Sequence, residues 1–308
     1  MTTPAAEGVR VPYDALPPHV HAWVDATLGS AVVRATTQAG GFSPGVAARL
    51  ECADGARAFV KAVSAEVNAE SVTLHRREAE VLRLLPDDLP VPRLLASYDE
   101  NPWLVLLIED VDGAQPRLPW SDDELDRVLD LARAVTEVTG LGLRTFADHL
   151  ADWRGWAALA AADGPADEWS RGHLDALIAL ECEAEDAVVG DHLLHLDLRA
   201  DNVLLGPERD WLVDWPWASA GAPWVDVAVA AIPVTMQGGP APEEVLRRSG
   251  LVGSGDDAGV TAVIAAFAGL MAHRCSLPPP PGIPTVREFQ AAQGRIALDW
   301  LRERTGWG

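Results

Sequence analysis

The chain has 308 residues, of which 48% are hydrophobic and 23% charged, a composition typical of a globular protein with room for two lobes. Its 24 basic and 46 acidic residues give a formal net charge of −22, which disfavours nucleic acid and anionic membranes as partners. The N-terminus lacks the features of a signal peptide, and no apolar run is long enough to span a membrane. We therefore expect a cytoplasmic protein with no nucleic-acid or membrane partner. Three widely spaced cysteines predict neither a disulfide framework nor a zinc site, and the oligomeric state is not indicated.

The N-terminal half predicts a sheet with one helix. Residues 1 to about 30 are rich in proline and indicate a lead-in segment. Asp54-Gly55 lies between two strand-like runs and predicts a hairpin, because its turn requires positive φ angles. Leu74 to Leu85 has the apolar spacing of a short amphipathic helix, and the order of elements favours an antiparallel sheet covered by that helix. The strand-like runs are residues 32–37, 46–52, 56–63, 93–98 and 103–109.

From Ser121 onward the pattern is mainly helical. Ser121, followed by Glu124 three residues later, predicts the capping box of a first helix. Strand-like pieces are short and lie near 192–196, 203–205 and 211–214, so the polar motifs around them belong to short strands and loops. Further helices are expected around residues 144–161, 170–189, 257–273 and 285–304.

Two polar motifs follow each other in this helical half. Residues 195–202 read H-L-D-L-R-A-D-N, and residues 211–214 read W-L-V-D. Alone, an H-x-D pair is frequent by chance and would be a core histidine and a capped turn. Two strands joined by a tight loop, however, would bring Asp197, Asn202 and Asp214 to one edge. Because Mg²⁺ needs only one or two side-chain oxygens besides water and phosphate, Asn202 and Asp214 fit a magnesium site.

The spacing H-x-D-x-x-x-x-N, followed by an aspartate after a strand, resembles the catalytic and metal-binding loops of the protein-kinase-like fold. Together with G-A-P-W-V-D-V-A at 221–228, the set resembles the aminoglycoside phosphotransferase family from about Thr36 to Ala230. The resemblance implies an α+β, bilobal fold with an N-terminal antiparallel sheet carrying one helix and a mainly helical C-terminal lobe. Residues 1–108 would form the nucleotide-binding lobe with its lead-in segment, and residues 109–308 the catalytic and substrate-binding lobe.

The resemblance also assigns roles. Asp197 would be the catalytic residue that accepts the proton of the substrate hydroxyl, and Asn202 and Asp214 would hold Mg²⁺ against the nucleotide phosphates. His195 and Asp226 would support the catalytic loop. The implied reaction is transfer of the γ-phosphate of ATP or GTP to a hydroxyl of a small molecule, expected to be cationic and aminoglycoside-like, with antibiotic resistance as the physiological role.

A kinase of this family also needs a nucleotide site in the N-terminal half. Lys61, on a strand, would face the interior of the lobe, and Glu78 on the following helix would hold it against the α and β phosphates. Glu80 is the competing acid and would point to a different face. The resemblance further implies that the backbone of Glu109 and Val111 binds the adenine edge.

The stretch A-G-G-F-S-P-G at 39–45 would cover the phosphates through Gly41, Phe42 and Ser43, because glycine permits close approach of backbone N–H groups. A flexible hairpin without a ligand is an equally good interpretation of this stretch. The chain also departs from the family in two places. Trp215-Pro216 replaces Phe-Gly after Asp214 and indicates a rigid loop, and Leu196 stands where many relatives carry a small residue.

The acceptor site is less well defined by the sequence. Trp153 and Trp156 could stack on a sugar-like ring, although their helical spacing favours core packing. Acidic residues could bind amino groups of a cationic acceptor, although solvated helix faces explain most of them. These acidic candidates are Asp148, Asp152, Asp163, Asp167, Glu168, Glu181, Glu183 and Glu185.

Other functions remain open. Within the same fold, the acceptor could be a nucleoside or peptide antibiotic, a macrolide, an amino sugar, choline or homoserine. A protein kinase is disfavoured, because Asp226 follows Asp214 by only twelve positions and leaves no room for a long activation loop. A non-catalytic nucleotide-binding regulator would tolerate loss of Asp197. A metal-dependent hydrolase built on His195, Asp197 and Asp214 leaves Lys61 unexplained.

Overall fold

The computed structural model describes residues 4, 6–162, 164–165 and 167–308, so the candidate Asp163 lies outside the described residues. Its N-terminal part forms a five-stranded antiparallel sheet and two helices. These elements are α1 (Pro18–Leu28), β1 (Val32–Thr37), β2 (Val46–Cys52), β3 (Arg57–Ser64), α2 (Ala69–Leu82), β4 (Leu94–Glu100) and β5 (Trp103–Ile108). The strand order is β1-β2-β3-β5-β4.

The sheet has a helix on each face, because successive side chains of its central strands point to opposite faces and both faces carry apolar residues. One face, with Val60 and Ala62 of β3, packs against Val20 and Val24 of α1. The lead-in segment therefore contains a helix that was not predicted. The opposite face of the sheet, which includes Lys61 and Val63 of β3, lies toward α2. Helix α2 begins at Ala69, because Asn68 caps it by accepting a hydrogen bond from Ser71 N.

The C-terminal part is mainly helical, as predicted, and it also contains four short strands that form two antiparallel ribbons, β6 with β9 and β7 with β8, within the described residues. Its elements are α3 (Asp122–Thr136), α4 (Phe146–Leu150), α5 (Gly155–Ala160), α6 (Glu168–Gly172), α7 (Leu174–Ala187), β6 (His192–Leu194), β7 (Val203–Leu205), β8 (Asp210–Leu212), β9 (Ser219–Gly221), α8 (Val225–Met236), α9 (Pro242–Ser249), α10 (Asp257–Arg274) and α11 (Val286–Thr305).

Two predictions for this part were wrong in detail, and two helices were missed. The helix expected at 144–161 is two short helices, α4 and α5, and the helix expected at 170–189 is likewise divided into α6 and α7. Gly155 explains the first division, because a Cβ there would lie 2.0 Å from the backbone of Gly269 in α10, so α5 starts where two backbones touch. Helices α8 and α9 were not predicted at all.

A continuous apolar core joins the inner face of the sheet to the helices of the C-terminal part. Helices α8 and α10 lie in its middle, with residues on all sides of each helix buried. Among the described residues, no helix combines the length and apolarity that crossing a membrane would require. The strands of the two ribbons flank the loops 195–202 and 213–215, which carry the polar motifs.

Candidate active site

The His195–Asn202 loop, which joins β6 to β7, is fixed from below by Asp226 in the first turn of α8. The Asp226 carboxylate accepts hydrogen bonds from His195 N and Leu196 N, both at 2.7 Å. Leu196 has a φ of 61°, a left-handed conformation that is unfavourable for a leucine. Burial raises the pKa of Asp226 to about 6, although the two N–H groups favour its charged form. Asp226 therefore holds the turn that precedes Asp197.

His195 is fully buried and uses both ring nitrogens within the protein. Nδ1 lies 3.2 Å from the N–H of Asp197, and Nε2 lies 3.1 Å from the carbonyl of Val213. Burial lowers the pKa of His195 to about 4, so the ring is neutral at neutral pH with one acceptor and one donor nitrogen. The ring therefore joins the two loops and does not present a free nitrogen to a substrate.

Both carboxylate oxygens of Asp197 are held in place. Asn202 Nδ2 donates to Oδ2 at 2.9 Å and to the Asp197 carbonyl at 2.8 Å, and Arg199 Nη1 donates to Oδ1 at 2.8 Å. Burial raises the pKa of Asp197 to about 7, despite the opposing charge of Arg199. The carboxylate is thus oriented and partly accessible, and its pKa lies close to neutral pH.

Arg199 connects this loop to two distant elements, and the sequence analysis did not single it out. Its guanidinium also binds Asp201, at 2.8 and 3.0 Å. It lies over the rings of Phe42 and Phe289, at 5.3 and 5.5 Å from their centres. The glycine-containing loop at 39–45 therefore meets α11 beside Arg199, the residue that also binds Asp197.

Lys61 lies between two carboxylates. Its Nζ is 2.6 Å from Glu78 Oε1 and 2.7 Å from Asp214 Oδ1. Burial opposes the charge of Lys61, yet Asp214 and Glu78 together raise its pKa. Burial also opposes the charge of Asp214, and Lys61 outweighs it and lowers the pKa of that carboxyl. Glu80, the competing acid, is exposed on the other side of α2.

Asn202 and Asp214 have the chemistry of a Mg²⁺ site. The Asn202 nitrogen is taken up by Asp197, which leaves its side-chain oxygen as a ligand, and Asp214 has a second oxygen besides the one that binds Lys61. Val213 N donates to the Asn202 carbonyl at 2.9 Å, so the two candidates are tied together. No group of three or more His, Cys, Asp or Glu in the described part could hold a metal. Mg²⁺ bound with phosphates does not need one.

A cleft of about 170 Å³ lies between the sheet, the 39–45 loop and these polar groups. His195, Asp197 and Asp226 are not among its lining residues and support or adjoin it. The predicted residues that line it are Gly41, Phe42, Ser43, Lys61, Glu78, Glu109, Val111, Asn202 and Asp214.

The chain segment after β5 lines this cleft with Glu109 and Val111. Glu109 N donates to the Arg93 carbonyl at 2.9 Å, and the Val111 carbonyl accepts from Arg49 Nη2 at 2.9 Å. Within the described residues, no hydrogen bond uses the Glu109 carbonyl or Val111 N. An adenine edge requires such a pair, an acceptor for its amino group and a donor for its ring nitrogen.

The acceptor candidates mostly stabilise the fold. Trp156 is fully buried and Trp153 packs edge-on against Phe146 and Phe267, so both belong to the core. Five of the acidic candidates are engaged as helix caps, backbone acceptors or ion-pair partners: Asp148, Asp152, Asp167, Glu181 and Glu185.

Residues 35–263 match the model of a family described as the phosphotransferase enzyme family. No curated protein sequence shows significant similarity to the chain. The fold, by contrast, has many solved relatives.

A thermostable mutant of aminoglycoside phosphotransferase APH(4)-Ia is 18% identical, with a TM-score of 0.59, and the match covers 94% of this chain and 99% of that one. Choline kinase LicA from Streptococcus pneumoniae is 16% identical, with a TM-score of 0.58 and coverages of 91% and 99%. A putative fructosamine-3-kinase from Haemophilus somnus 129PT is 11% identical, with a TM-score of 0.58 and coverages of 90% and 96%. At these identities the likeness concerns the fold, and it confirms the predicted α+β, kinase-like architecture.

Proposed function

Because the chain belongs to the phosphotransferase enzyme family, we propose that it transfers the γ-phosphate of ATP or GTP to a hydroxyl group of a small molecule. The observation that carries this proposal is the ion-pair triad of Lys61, Glu78 and Asp214, with Nζ to oxygen distances of 2.6 and 2.7 Å. Its members come from β3, α2 and the loop after β8, and a purely structural ion pair would not also place Asn202 and Asp197 beside it.

The nucleotide binds between the sheet and the C-terminal part. Glu109 O and Val111 N bind the adenine edge, Lys61 binds phosphate oxygens, and the 39–45 loop covers them with Gly41, Phe42 and Ser43. Asn202 and Asp214 hold Mg²⁺, which when bound neutralises phosphate charge. We assign residues 1–108 to the nucleotide-binding lobe and residues 109–308 to the catalytic lobe. The use of ATP or GTP supports a cytoplasmic location.

Asp197 orients the acceptor hydroxyl and takes its proton as the oxygen attacks the γ-phosphorus. The bond to the leaving oxygen of the nucleoside diphosphate breaks, and the phosphoryl group ends on the acceptor. Phosphoryl transfer depends mainly on positioning and charge stabilisation. The hydrogen bonds from Asn202 and Arg199 supply the positioning of Asp197. The raised pKa of Asp197 suits a group that must accept a proton near neutral pH. His195 and Asp226 keep the loop in its turned conformation.

The acceptor is a small molecule, which we propose to be a cationic, aminoglycoside-like antibiotic whose phosphorylation gives resistance. Support comes from the net charge of −22 and from the similar solved structures, which are those of an aminoglycoside phosphotransferase, a choline kinase and a putative fructosamine-3-kinase. A kinase of another small metabolite is the second candidate, because those proteins differ in their acceptors.

A coupled nucleotide-turnover screen across aminoglycosides, other antibiotics, choline, homoserine and amino sugars tests the proposal. We expect ADP or GDP release that depends on one acceptor class and on Mg²⁺. Nucleotide binding without turnover on any hydroxyl compound would favour a regulator. Release of phosphate from monoesters without nucleotide would favour a hydrolase.

A further inference from the structure

The segment of residues 7–11, which precedes α1, runs beside the 39–45 loop. Gly8 N donates to the Gly41 carbonyl at 2.9 Å, and Gly45 N donates to the Val9 carbonyl at 3.0 Å. Val9 N donates in turn to the Gly282 carbonyl at 2.8 Å, which anchors the segment to the C-terminal part. The segment thereby carries Arg10 into the cleft, where it lines the same cavity as Lys61.

Arg10 differs from the neighbouring basic residues in having no acid partner. Lys61 is paired with two carboxylates, and Arg49, which also lines the cleft, has two within 3.8 Å. Arg199 is paired with two more. In the described chain, no carboxylate lies within ion-pair distance of Arg10. Its Nη groups donate only to backbone carbonyls, those of Gly40, Gly41 and Ser43.

The guanidinium also has an unused donor. Arg10 Nε is buried and has no hydrogen-bond partner among the described residues, and such an orphaned donor is rare in proteins. Arg10 lines the same cleft as Lys61 and Asp214, the residues assigned to the phosphates and to Mg²⁺.

Arg10 binds carbonyl groups of the 39–45 loop and leaves N–H groups of that loop without a partner. The segment takes up the carbonyls of Gly40, Gly41 and Ser43, and no hydrogen bond within the described residues uses the N–H of Phe42 or Ser43. A Cβ on Gly41, whose φ is 74°, would lie 3.0 Å from Arg10 Nη2, so the loop approaches the guanidinium closely. The loop therefore has free donors beside an uncompensated cation.

We propose that Arg10 binds the phosphate groups of the nucleotide as a second cation besides Lys61, brought into the cleft by the segment of residues 7–11. The proposal rests on the proposed kinase function. Arg10 Nε is the donor left for a phosphate oxygen, and the polyphosphate supplies the negative charge that Arg10 lacks in the protein.

Isothermal titration calorimetry of ATP and adenosine, in the presence of Mg²⁺, tests the proposal with Arg10→Gln and Arg10→Lys. We expect Arg10→Gln to weaken ATP binding by roughly tenfold to a hundredfold, the effect of losing a charged hydrogen bond, and to leave adenosine binding unchanged. Arg10→Lys should recover much of the ATP affinity, because it keeps the charge. Arg34→Gln is the matched control, since Arg34 is exposed on β1 and paired with Glu51 outside the cleft.

Two results would overturn the proposal. The first is an Arg10→Gln variant that binds ATP as tightly as the wild type does. The other is an Arg10→Lys variant as weak as Arg10→Gln, which would mean that the guanidinium only ties the loop carbonyls together. A wild-type protein that binds neither ATP nor GTP would instead overturn the proposed function itself.

A labelling experiment on the wild-type protein covers the case in which Arg10→Gln does not fold. Phenylglyoxal modifies arginine side chains, and peptide mapping locates the modified residue. We expect ATP to protect Arg10 and adenosine to leave it reactive. Equal protection by the two ligands would contradict direct contact with phosphate.

Discussion

Leu196 and Asp214 are the non-glycine residues with positive φ in the described chain, at 61° and 71°. Leu196 directly precedes Asp197, and Asp214 belongs to the proposed site itself. A positive φ costs roughly 1–2 kcal/mol for an L-residue. The Asp226 carboxylate offsets the cost at Leu196 through its bond to the Leu196 N–H. Leucine is tolerated in this conformation because its neighbours fix the turn.

Lys61→Ala tests the triad at the residue scale. Removing the cation leaves Glu78 and Asp214 buried without their partner, so we expect the nucleotide KM to rise or kcat to fall by roughly tenfold or more. Steady-state kinetics with varied nucleotide measure both. Arg76→Ala is the control, because the ion pair of Arg76 on α2 with Asp99 on β4 is exposed and contributes little. Equal kinetics for wild type and Lys61→Ala would require another phosphate anchor.

His149 gives a prediction about pH. The side chain is buried, Arg77 lies 2.6 Å from its Nε2, and burial lowers the pKa of His149 to about 4. Between about pH 6.5 and 4 the unfolded chain binds a proton on this residue that the native protein does not. Its contribution to stability is therefore complete above pH 6.5 and is lost on acidification.

We expect His149→Gln, which keeps an acceptor for Arg77, to lose stability less steeply in that range. The difference in slope between wild type and variant is on the order of 1 kcal/mol per pH unit. Urea unfolding at several pH values measures it. Parallel plots of unfolding free energy against pH for the wild type and His149→Gln would mean that His149 is protonated in the native protein.

At the scale of elements, the sequence predicted what periodicity controls. The central strands were found because β2 and β3 alternate between apolar and polar residues over part of their length and β5 is a short apolar run. Helix α2 was found because one stripe of it is apolar. Helix α8 was missed since it is buried on all sides and has no polar stripe. Helix α9 was missed although its signals were present: Pro242 at its start, acids in the first turn, bases in the last turn and Gly250 after it.

Gly45 gives a prediction at the base of the 39–45 loop. Its φ is 100°, and a Cβ there would lie 2.4 Å from the Ala62 carbonyl, next to Lys61 on β3. We expect Gly45→Ala to lower stability and to raise the nucleotide KM, because the loop must move away from the strand. Gly55→Ala is the matched control, since Gly55 also has positive φ but has open space around it. It should lose about 1 kcal/mol of stability and keep its KM. The same KM for both variants would remove the loop from the site.

At the scale of the whole molecule, the sequence identified the residues that carry a motif and missed those that are defined by backbone contacts. Lys61, Glu78, Asn202 and Asp214 were singled out through spacing and resemblance, and all four line one cleft. Arg10 was missed, because its contacts are carbonyl groups 30 and 33 positions away, and backbone contacts leave no sequence signal.

The net charge of −22 gives a prediction about the acceptor. An acidic surface attracts a cationic acceptor at long range, and salt screens that attraction over about 10 Å at 0.1 M. We therefore expect the acceptor KM to rise with ionic strength, while the KM of the anionic nucleotide stays constant or falls. Kinetics in a salt series measure both. An acceptor KM that does not rise with salt would indicate a neutral or anionic acceptor.

The central claim is that Asp197 acts as the base of a phosphoryl transfer, and Asp197→Asn tests it most directly. With the acceptor found in the screen, we expect kcat to fall roughly 10²- to 10⁴-fold, while the affinity for Mg-nucleotide in calorimetry stays close to that of the wild type. Asp191→Asn, at an exposed position just before β6, should retain full activity. A near-normal kcat in Asp197→Asn would contradict the account.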